Sequence, residues 1–260
     1  MSDDIGIEAS KAPLIDHLIE LRRRLVWSIF AILIAFIGCY MVSAHIYNFL
    51  VAPLDAALKG HPEHQMIYTQ LYEGFLTRVK VALYAAVMLA FPVIASQIWM
   101  FVAPGLYRHE RRAFLPFLLA TPVLFLIGAA MAYYIVFPAA WHFFLSFEVT
   151  DPNGLKIVLQ PKVSEYLSLV MTMIFAFGLC FELPVLLVLL GRIGIVTSEM
   201  LVGARRYALL GIFLVAAVVT PPDAFSQIAL GVPIYLLYEI SILCIRMVEK
   251  KRNEENNENS

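Results

Sequence analysis

Three glutamates have positions in the sequence that suggest chemistry, and the first is Glu20. It lies in residues 14–25, where leucines recur at helical spacing, which predicts an amphipathic helix that leads along a membrane interface into the first apolar run. Arg23 and Arg24 follow it at positions i+3 and i+4. The simplest role for Glu20 is therefore an ion pair within its own helix. Its position alone leaves a binding role open.

The second candidate is Glu110, in the segment 106–112 (LYRHERR). The residues three and four positions away are Leu106, Tyr107, Ala113 and Phe114, so no ion pair along a helix can satisfy this carboxylate. A solvated loop acid needs no partner, and that alternative stays open. If Glu110 binds a ligand, a guanidinium fits best, because its planar fork donates two parallel N–H bonds to a carboxylate and an ammonium group cannot.

The third candidate, Glu182, lies in residues 181–184 (FELP) inside a long apolar stretch. An ionised acid within a span costs several kcal/mol, so this residue is expected to face a bundle interior or a wet cavity, or to be protonated. Pro184 permits a kink that admits water beside the acid. A protonated Glu182 that hydrogen-bonds a neighbouring helix is the structural alternative, and the sequence does not choose between the two.

The composition identifies the solvent in which these acids lie. Of the 260 residues, 61% are hydrophobic and only 15% are charged, against about 25% charged in soluble domains. The mean hydropathy is +0.78. This composition excludes an ordinary soluble enzyme and a disordered chain, and a net charge of −1 argues against a nucleic-acid partner. The composition therefore indicates a membrane protein with no sizeable domain outside the bilayer.

Uncharged runs predict an all-α polytopic membrane protein with six transmembrane helices. The runs are residues 25–42, 81–107, 113–147, 166–191 (interrupted only by Glu182), 207–222 and 224–238. The third run is long enough to include a loop, and Pro138 is a plausible end for its helix. The first run has no convincing cleavage site after it and is read as a retained helix.

The last two runs are short for a bilayer. Residues 207–220 would span roughly 21 Å as a helix, against a hydrocarbon core of about 30 Å. The sequence thus predicts two short final helices and a locally thinned membrane. An equally weighted alternative is that Glu239 and Arg246 mark the interface and that the apolar residues between them complete the last span.

Basic residues set the predicted orientation, with both termini in the cytoplasm. The cytoplasmic side would hold Lys11, Arg22, Arg23, Arg24, Arg108, Arg111, Arg112, Arg192, Arg205, Arg206, Arg246, Lys250, Lys251 and Arg252. The other side would hold Lys59, Arg78, Lys80, Lys156 and Lys162. The predicted organisation is a cytoplasmic amphipathic segment (1–24), a six-helix transmembrane domain (25–245) and a disordered cytoplasmic tail (246–260).

The remaining motifs predict structure and no catalysis. In residues 220–223 (TPPD), Thr220 as N-cap and Asp223 at N3 form a capping-box pattern that starts the last helix. Gln227 then lies one turn into the membrane edge. His61 and His64 are too weak a pattern for a metal site. No motif for catalysis or for a cofactor is found, so neither an enzyme, a metal nor a cofactor is predicted.

Four segments together resemble the TatC family, the large membrane subunits of the twin-arginine protein translocase. They are residues 17–22 (HLIELR), 106–112 (LYRHERR), 181–184 (FELP) and 220–227 (TPPDAFSQ), and the resemblance runs from about residue 14 to 246. It implies a core receptor that binds the twin-arginine signal peptides of folded cargo proteins on the cytoplasmic face. By this resemblance Glu20 and Glu110 are the recognition carboxylates, with Leu21, Arg22 and Phe101 on the same surface.

The resemblance also implies roles away from that surface. Pro53 and Asp223 would support the outer face, and Glu182 would lie in a groove between helices. Single-span TatA- and TatB-type subunits would dock alongside in an oligomeric complex in the bacterial cytoplasmic (inner) membrane. The proton gradient would drive export.

A proton-coupled small-solute transporter that uses Glu182 as its proton carrier is the alternative function. A solute carrier needs its key acids near the middle of the bilayer, whereas a receptor needs them at the cytoplasmic surface. Glu20 and Glu110 therefore favour the receptor. An intramembrane hydrolase is a more distant alternative.

Overall fold

The computed structural model describes residues 3–59, 65–106, 111–148, 159–220 and 223–258, and most of these residues are helical. The α-helices are α1 (Asp3–Met41), α2 (Ser43–Leu58), α3 (Glu73–Leu106), α4 (Arg111–Met131), α5 (Phe137–Leu145), α6 (Val163–Cys180), α7 (Leu183–Arg192), α8 (Ser198–Val219) and α9 (Ala224–Glu258). A π-helical segment, Ala132–Val136, joins α4 to α5. The predicted all-α fold class is confirmed.

Within the part of the chain that the structure describes, six helical stretches are long and apolar enough to cross a membrane, as predicted. They are His17–Met41, Glu73–Phe101, Pro116–Leu145, Val163–Arg192, Ser198–Val219 and Ala224–Lys250. The bundle end that carries α2 and the segments 65–72 and 159–163 is called the α2 side below. The opposite end, where α3 ends and α4 begins, is called the termini side.

The core lies around the fourth span, which packs against the second, third and sixth. Leu167, Val170 and Phe177 of α6 are fully buried. At one crossing α4 and α6 approach so closely that a Cβ atom added to Gly128 would lie 2.5 Å from the Phe177 carbonyl oxygen. Only a residue without a side chain fits there, and this packing fixes the helices that surround Glu182.

The first span is much less embedded. Helix α1 packs chiefly along α3, and Cys39 is the one buried residue among the side chains of α1 that the structure describes. The helix is uninterrupted from Asp3 to Met41, so no break separates an amphipathic segment from a span at residue 24.

The third span corrects the expectation that its helix stops at Pro138. The chain stays helical through the π segment and α5 to Leu145, and Pro138 lies in the first turn of α5. Proline is tolerated in a first helical turn, because the N–H it lacks has no necessary partner there. The π segment directly before it therefore lets the span continue through the proline.

The fourth span is divided at the predicted place. Helix α6 ends at Cys180, α7 begins at Leu183, and Pro184 lies in the first turn of α7. Glu182 occupies the N-cap position of α7. The kink predicted from Pro184 is confirmed as a break between two helices.

The last two helices are longer than their uncharged runs. Helix α8 includes Arg205 and Arg206, and α9 continues past Glu239 and Arg246. The prediction of short helices is not confirmed, because charged residues are good helix formers and extend the helix beyond the apolar stretch. How far the bilayer thins around them stays a prediction.

Helix α9 also runs to Glu258, through the tail for which disorder was expected. Extending an existing helix needs no new nucleus, so a polar sequence can continue it. Lys250 and Glu254 form an ion pair at i, i+4 that supports this extension.

Glu73 ties the α2 side together. Its side chain is 4% exposed although it is an acid. Oε2 accepts hydrogen bonds from the backbone N–H groups of Thr69 (2.8 Å) and Gln70 (3.2 Å), and Oε1 accepts one from Ser164 (3.2 Å). Ile67 forms a parallel β-bridge with Lys162 beside it. The two connections on this side are thus joined to each other and to the start of α3.

Candidate functional site

Glu20 lies on α1 and is partnered within its own helix. Arg24 Nε donates a hydrogen bond to Glu20 Oε1 at 3.0 Å, and Arg24 Nη2 donates to the same oxygen. The Glu20 side chain is 32% exposed, and the Arg24 side chain 20%. This pair is one of the two local ion pairs that the sequence suggested. Since it is reachable by solvent, its net contribution to stability is small and the carboxylate can exchange partners.

An aromatic contact places this part of α1 against the end of α3. His17 stacks on Phe101 with ring centroids 4.2 Å apart and planes 19° apart. His17 lies one turn before Glu20, and its Nδ1 is 4.0 Å from Glu20 Oε2. Phe101 and Glu20, both predicted site residues, are therefore held near each other. The sequence analysis did not assign His17 a role, although its place in the HLIELR motif was visible.

The surface around Glu20 is apolar and basic. Leu21 is 43% exposed and Leu18 is 63% exposed, and Arg22 is also exposed. Arg22 forms no ion pair with any side chain that the structure describes. This surface combines an acid, a stacked aromatic pair and exposed leucines.

Glu110 lies outside the described residues, as do His61 and His64. The chain enters the segment of Glu110 at the end of α3, five residues after Phe101, and leaves it into α4 at Arg111. The proximity of Glu110 to Glu20 therefore stays a prediction.

Glu182 lies in the break between α6 and α7 with its carboxylate turned inward. Both carboxylate oxygens are buried, and neither accepts a hydrogen bond from a described residue. The polar groups that face them are the Thr121 hydroxyl and the Phe125 backbone, both on α4. A buried acid without a completed hydrogen bond is costly, so the structure keeps it at the expense of stability.

A polar contact next to Glu182 was missed by the sequence analysis. Trp99 on α3 donates from Nε1 to Thr121 Oγ1 at 3.0 Å, and Thr121 is 2% exposed. Because the hydroxyl accepts from Trp99, its own proton remains available to Glu182. The available signal was a threonine within an apolar span, directly before Pro122.

The residue that caps α9, after the turn that follows α8, differs from the one predicted. The N-cap of α9 is Asp223, whose Oδ1 accepts a hydrogen bond from Ser226 N at 2.7 Å. Thr220 instead ends α8, and its hydroxyl donates to the Ala216 carbonyl at 2.9 Å. The predicted capping box placed the start of the helix too early, because a threonine at the end of one helix can bond backward as readily as forward.

Gln227 and Pro53 have definite structural contacts. Gln227 Nε2 donates to the Phe213 carbonyl at 3.1 Å and so joins α9 to α8. Pro53 lies inside α2, where it cannot donate to the carbonyl of Phe49 four residues earlier. Tyr133 of the π segment donates its hydroxyl to that carbonyl at 2.6 Å. The proline thus exposes an acceptor through which α2 is attached to the third span.

Within the described residues, no group of three or more His, Cys, Asp or Glu side chains is placed to hold a metal ion. What the structure offers is an accessible acid on the termini side and a buried acid in the fourth span. Neither arrangement places a nucleophile beside a base, as covalent catalysis requires.

Comparison with known proteins gives a consistent result. A family model described as Sec-independent protein translocase protein (TatC) matches residues 16–233. The Sec-independent protein translocase protein TatC of Magnetococcus marinus is 51% identical over 245 residues, which cover 94% of this chain and 88% of the relative. The TatC protein of Escherichia coli is 42% identical over 245 residues, covering 94% of this chain and 92% of the relative.

A solved structure agrees as well. A crystal structure described as the twin-arginine translocase receptor TatC superposes with a TM-score of 0.77 at 36% identity. The match covers 90% of this chain and 99% of that one.

Proposed function

The chain belongs to the TatC family and is a multi-pass, non-enzymatic membrane subunit of the Sec-independent twin-arginine translocase; from this premise we propose that it binds twin-arginine signal peptides through Glu20 and Glu110. The peptides belong to folded cargo proteins and bind on the cytoplasmic face. The observation that carries the proposal is the stack of His17 on Phe101, which holds Glu20 against the end of α3, where the connection containing Glu110 begins.

The chemistry of recognition follows from the charges. Two adjacent guanidinium groups present two planar forks, and two carboxylates accept them with paired, charge-assisted hydrogen bonds. Glu20 is already paired with Arg24, so an arginine of the peptide takes the place of Arg24. Since one guanidinium replaces another at Glu20, that carboxylate stays paired after the exchange. A lysine does not reproduce the fork, and we expect it to bind more weakly.

The apolar part of the signal peptide lies against α1 and α3 in this proposal. Leu18, Leu21 and Leu25 are exposed along α1 beside the recognition acids. Arg22 and Phe101 lie on the same surface, where Phe101 supports the stack and Arg22 adds to the basic rim. An apolar helix of the peptide can cover these leucines as it enters the bilayer.

Glu182 and Gln227 act after recognition. Single-span subunits of the TatA and TatB type dock alongside the bundle, and export is driven by the proton gradient. We expect Glu182→Gln to impair transport more than peptide binding, because its carboxylate is buried inside the fourth span and is not exposed on the peptide-binding surface. Loss of binding without a transport defect would contradict this role.

The chain lies in the bacterial inner membrane with both termini in the cytoplasm. The excess of lysine and arginine on the termini side supports this orientation. It places Glu20 and Glu110 where cargo arrives. Pro53 and Asp223 then stabilise the opposite, outer face. Family membership decides against the small-solute transporter as the alternative function.

Photo-crosslinking tests the proposal. A photoreactive signal peptide with an Arg-Arg pair is added to the protein in inner-membrane vesicles, and labelling is compared for the wild type, Glu20→Ala and Glu110→Ala. We expect labelling to fall at least tenfold, on the order of the loss of one charge-assisted contact. A Lys-Lys peptide should label the wild-type protein as weakly as the Arg-Arg peptide labels the two variants.

Glu199→Ala is the matched control. Glu199 is an exposed acid on the termini side, in the first turn of α8, a helix that packs mainly on α9. It should leave labelling unchanged. Equal labelling of all variants, or an equal fall for Glu199→Ala, would rule out the two-acid site.

A further inference from the structure

The end of α3 lies between the peptide-binding surface and the surroundings of Glu182. Phe101 faces α1, where it stacks on His17. Trp99, two residues earlier, faces α4, where its Nε1 donates to Thr121 Oγ1 at 3.0 Å. Residues two positions apart project from nearly opposite sides of a helix, because each residue turns it by about 100°. One turn of α3 therefore contacts α1 on one side and α4 on the other.

Trp99 fixes the role of the Thr121 hydroxyl. An indole N–H is a donor only, so Thr121 Oγ1 accepts from it and keeps its own proton for another acceptor. Thr121 and Phe125 lie one turn apart on one face of α4, and they provide the polar groups that face the Glu182 carboxylate. Neither carboxylate oxygen accepts a completed hydrogen bond from a described residue. The contact between Thr121 and Glu182 therefore depends on where Trp99 holds the hydroxyl.

The indole ring of Trp99 also packs in the cluster that supports the helix after Glu182. Trp99 is 9% exposed and belongs to one buried apolar cluster with Phe125 of α4 and with Val185 and Leu189 of α7. Glu182 is the N-cap residue of α7. Close-packed side chains transmit displacement, so a movement of Trp99 changes the packing of α7 as well as its own hydrogen bond.

We propose that Trp99 is a positioning residue that couples occupancy of the peptide-binding surface to Glu182. A bound signal peptide covers Phe101 and takes Glu20 as its partner, and this shifts the end of α3. The Trp99 indole then moves relative to Thr121 and α7. The inference rests on the function proposed above, and it adds the route by which recognition at the surface changes the surroundings of an acid buried in the bundle.

Transport and photo-crosslinking in inner-membrane vesicles test this coupling. Trp99→Phe keeps an aromatic ring but removes the donor to Thr121, so transport should fall about tenfold, as expected for the loss of one buried hydrogen bond. Labelling by the Arg-Arg peptide should not fall, because the peptide no longer has to displace that bond. Thr121→Val should act in the same way, whereas Thr121→Ser keeps the hydroxyl and should transport like the wild type.

Trp141→Phe is the matched control. Trp141 lies on α5 and is 5% exposed, and its Nε1 forms no hydrogen bond with a residue that the structure describes. The same substitution there removes an equal part of the ring system and no hydrogen bond, so transport should stay within about twofold of the wild type.

The indole N–H signals of the full chain in lipid nanodiscs give a direct readout of the coupling. The chain has three tryptophans, Trp27, Trp99 and Trp141. The signals of the last two are assigned by their loss in Trp99→Phe and Trp141→Phe. A saturating Arg-Arg peptide should shift the Trp99 signal and leave the Trp141 signal in place. Because coupling between two sites is reciprocal, Glu182→Gln should shift the Trp99 signal without any peptide.

Three results would overturn the proposal. The first is an equal loss of transport for Trp99→Phe and Trp141→Phe, which would show an effect of packing alone. The second is a Trp99 signal that stays in place while the peptide labels the protein. The third is a loss of labelling in Trp99→Phe as large as that in Glu20→Ala, which would make Trp99 part of the recognition surface itself.

The failure of this coupling is distinguishable from the failure of the proposed recognition site. If labelling depends on Glu20 and Glu110 but the Trp99 signal does not respond to the bound peptide, only the coupling is wrong. If the Arg-Arg peptide labels the wild type and the two glutamate variants equally, the recognition site is wrong and the coupling falls with it.

Discussion

Glu20 and Glu73 are both acids at the ends of membrane-spanning helices, yet the molecule treats them differently. On the termini side, Glu20 is 32% exposed and paired with Arg24 on its own helix. On the α2 side, Glu73 is 4% exposed and accepts hydrogen bonds from Thr69, Gln70 and Ser164. One carboxylate can exchange its partner without disturbing the fold, and the other holds three segments of the chain together.

This difference indicates that the two sides of the bundle have different roles. The α2 side is fixed by hydrogen bonds between segments distant in sequence, including Tyr133 to Phe49 and Tyr166 to Leu50. The termini side keeps a carboxylate that a new cation can reach. A receptor needs such a combination, because a rigid frame preserves the shape of the site while its charged groups exchange partners.

The largest expected effect belongs to Glu73. Replacement by alanine removes the charged acceptor of three partly buried backbone hydrogen bonds, so Glu73→Ala should lower the free energy of unfolding by about 3 kcal/mol. Chemical unfolding in mixed micelles measures this change. Glu165→Ala is the control on the same side, since Glu165 is 78% exposed and pairs loosely with Lys162. It should cost less than about 0.5 kcal/mol. Equal losses of unfolding free energy for Glu73→Ala and Glu165→Ala would contradict the conclusion that hydrogen bonds to Glu73 hold the α2 side together.

The attachment of α2 to the third span should show coupling between Pro53 and Tyr133. Tyr133→Phe removes the donor to the Phe49 carbonyl and should cost about 1 to 2 kcal/mol of unfolding free energy. In a Pro53→Ala background, residue 53 supplies a helical N–H to that carbonyl, so the same change should cost less. Chemical unfolding of the four proteins gives the coupling energy. An identical cost in both backgrounds would exclude the explanation given for Pro53.

The helix cap at Asp223 should have a smaller effect. Asp223→Ala removes the acceptor for Ser226 N and should cost about 1 kcal/mol, whereas Asp223→Ser retains a cap and should cost little. Thermal unfolding with matched detergent compares them. Thr220→Val should cost less than Asp223→Ala, because Thr220 bonds within α8. A larger loss for Thr220→Val would restore the capping box predicted from sequence.

The smallest stability effect is expected on the termini side. Glu20→Gln removes one exposed ion pair with Arg24, so the free energy of unfolding should change by about 0.5 kcal/mol or less. Chemical unfolding measures it under the conditions used for Glu73→Ala. A loss as large as that of Glu73→Ala would mean that Glu20 is a structural residue, and the contrast between the two sides would disappear.

Local patterns in the sequence were sufficient to predict the six spans and the break within the fourth span. Apolar runs predicted six helices, and Pro184 after Glu182 predicted a break that the structure contains. The local ion pair of Glu20 was likewise visible, because its partner lies four residues away.

Partners distant in sequence could not be found in this way. Glu73 bonds Ser164, 91 positions along the chain, and Trp99 bonds Thr121 on another span. No periodicity within one helix reveals such contacts. The cap of α9 was misplaced for a different reason, since Thr220 and Asp223 are both good capping residues and only the fold shows which one is used.

The most direct test of the account is a double-mutant cycle between the receptor and its ligand. Affinities are measured for wild type, Glu20→Gln and Glu110→Gln, each with a signal peptide carrying Arg-Arg and with peptides in which one arginine is replaced by glutamine. The account predicts a coupling of about 1.5 kcal/mol or more between each glutamate and one particular arginine. Purely additive losses, with coupling near zero for both glutamates, would contradict it.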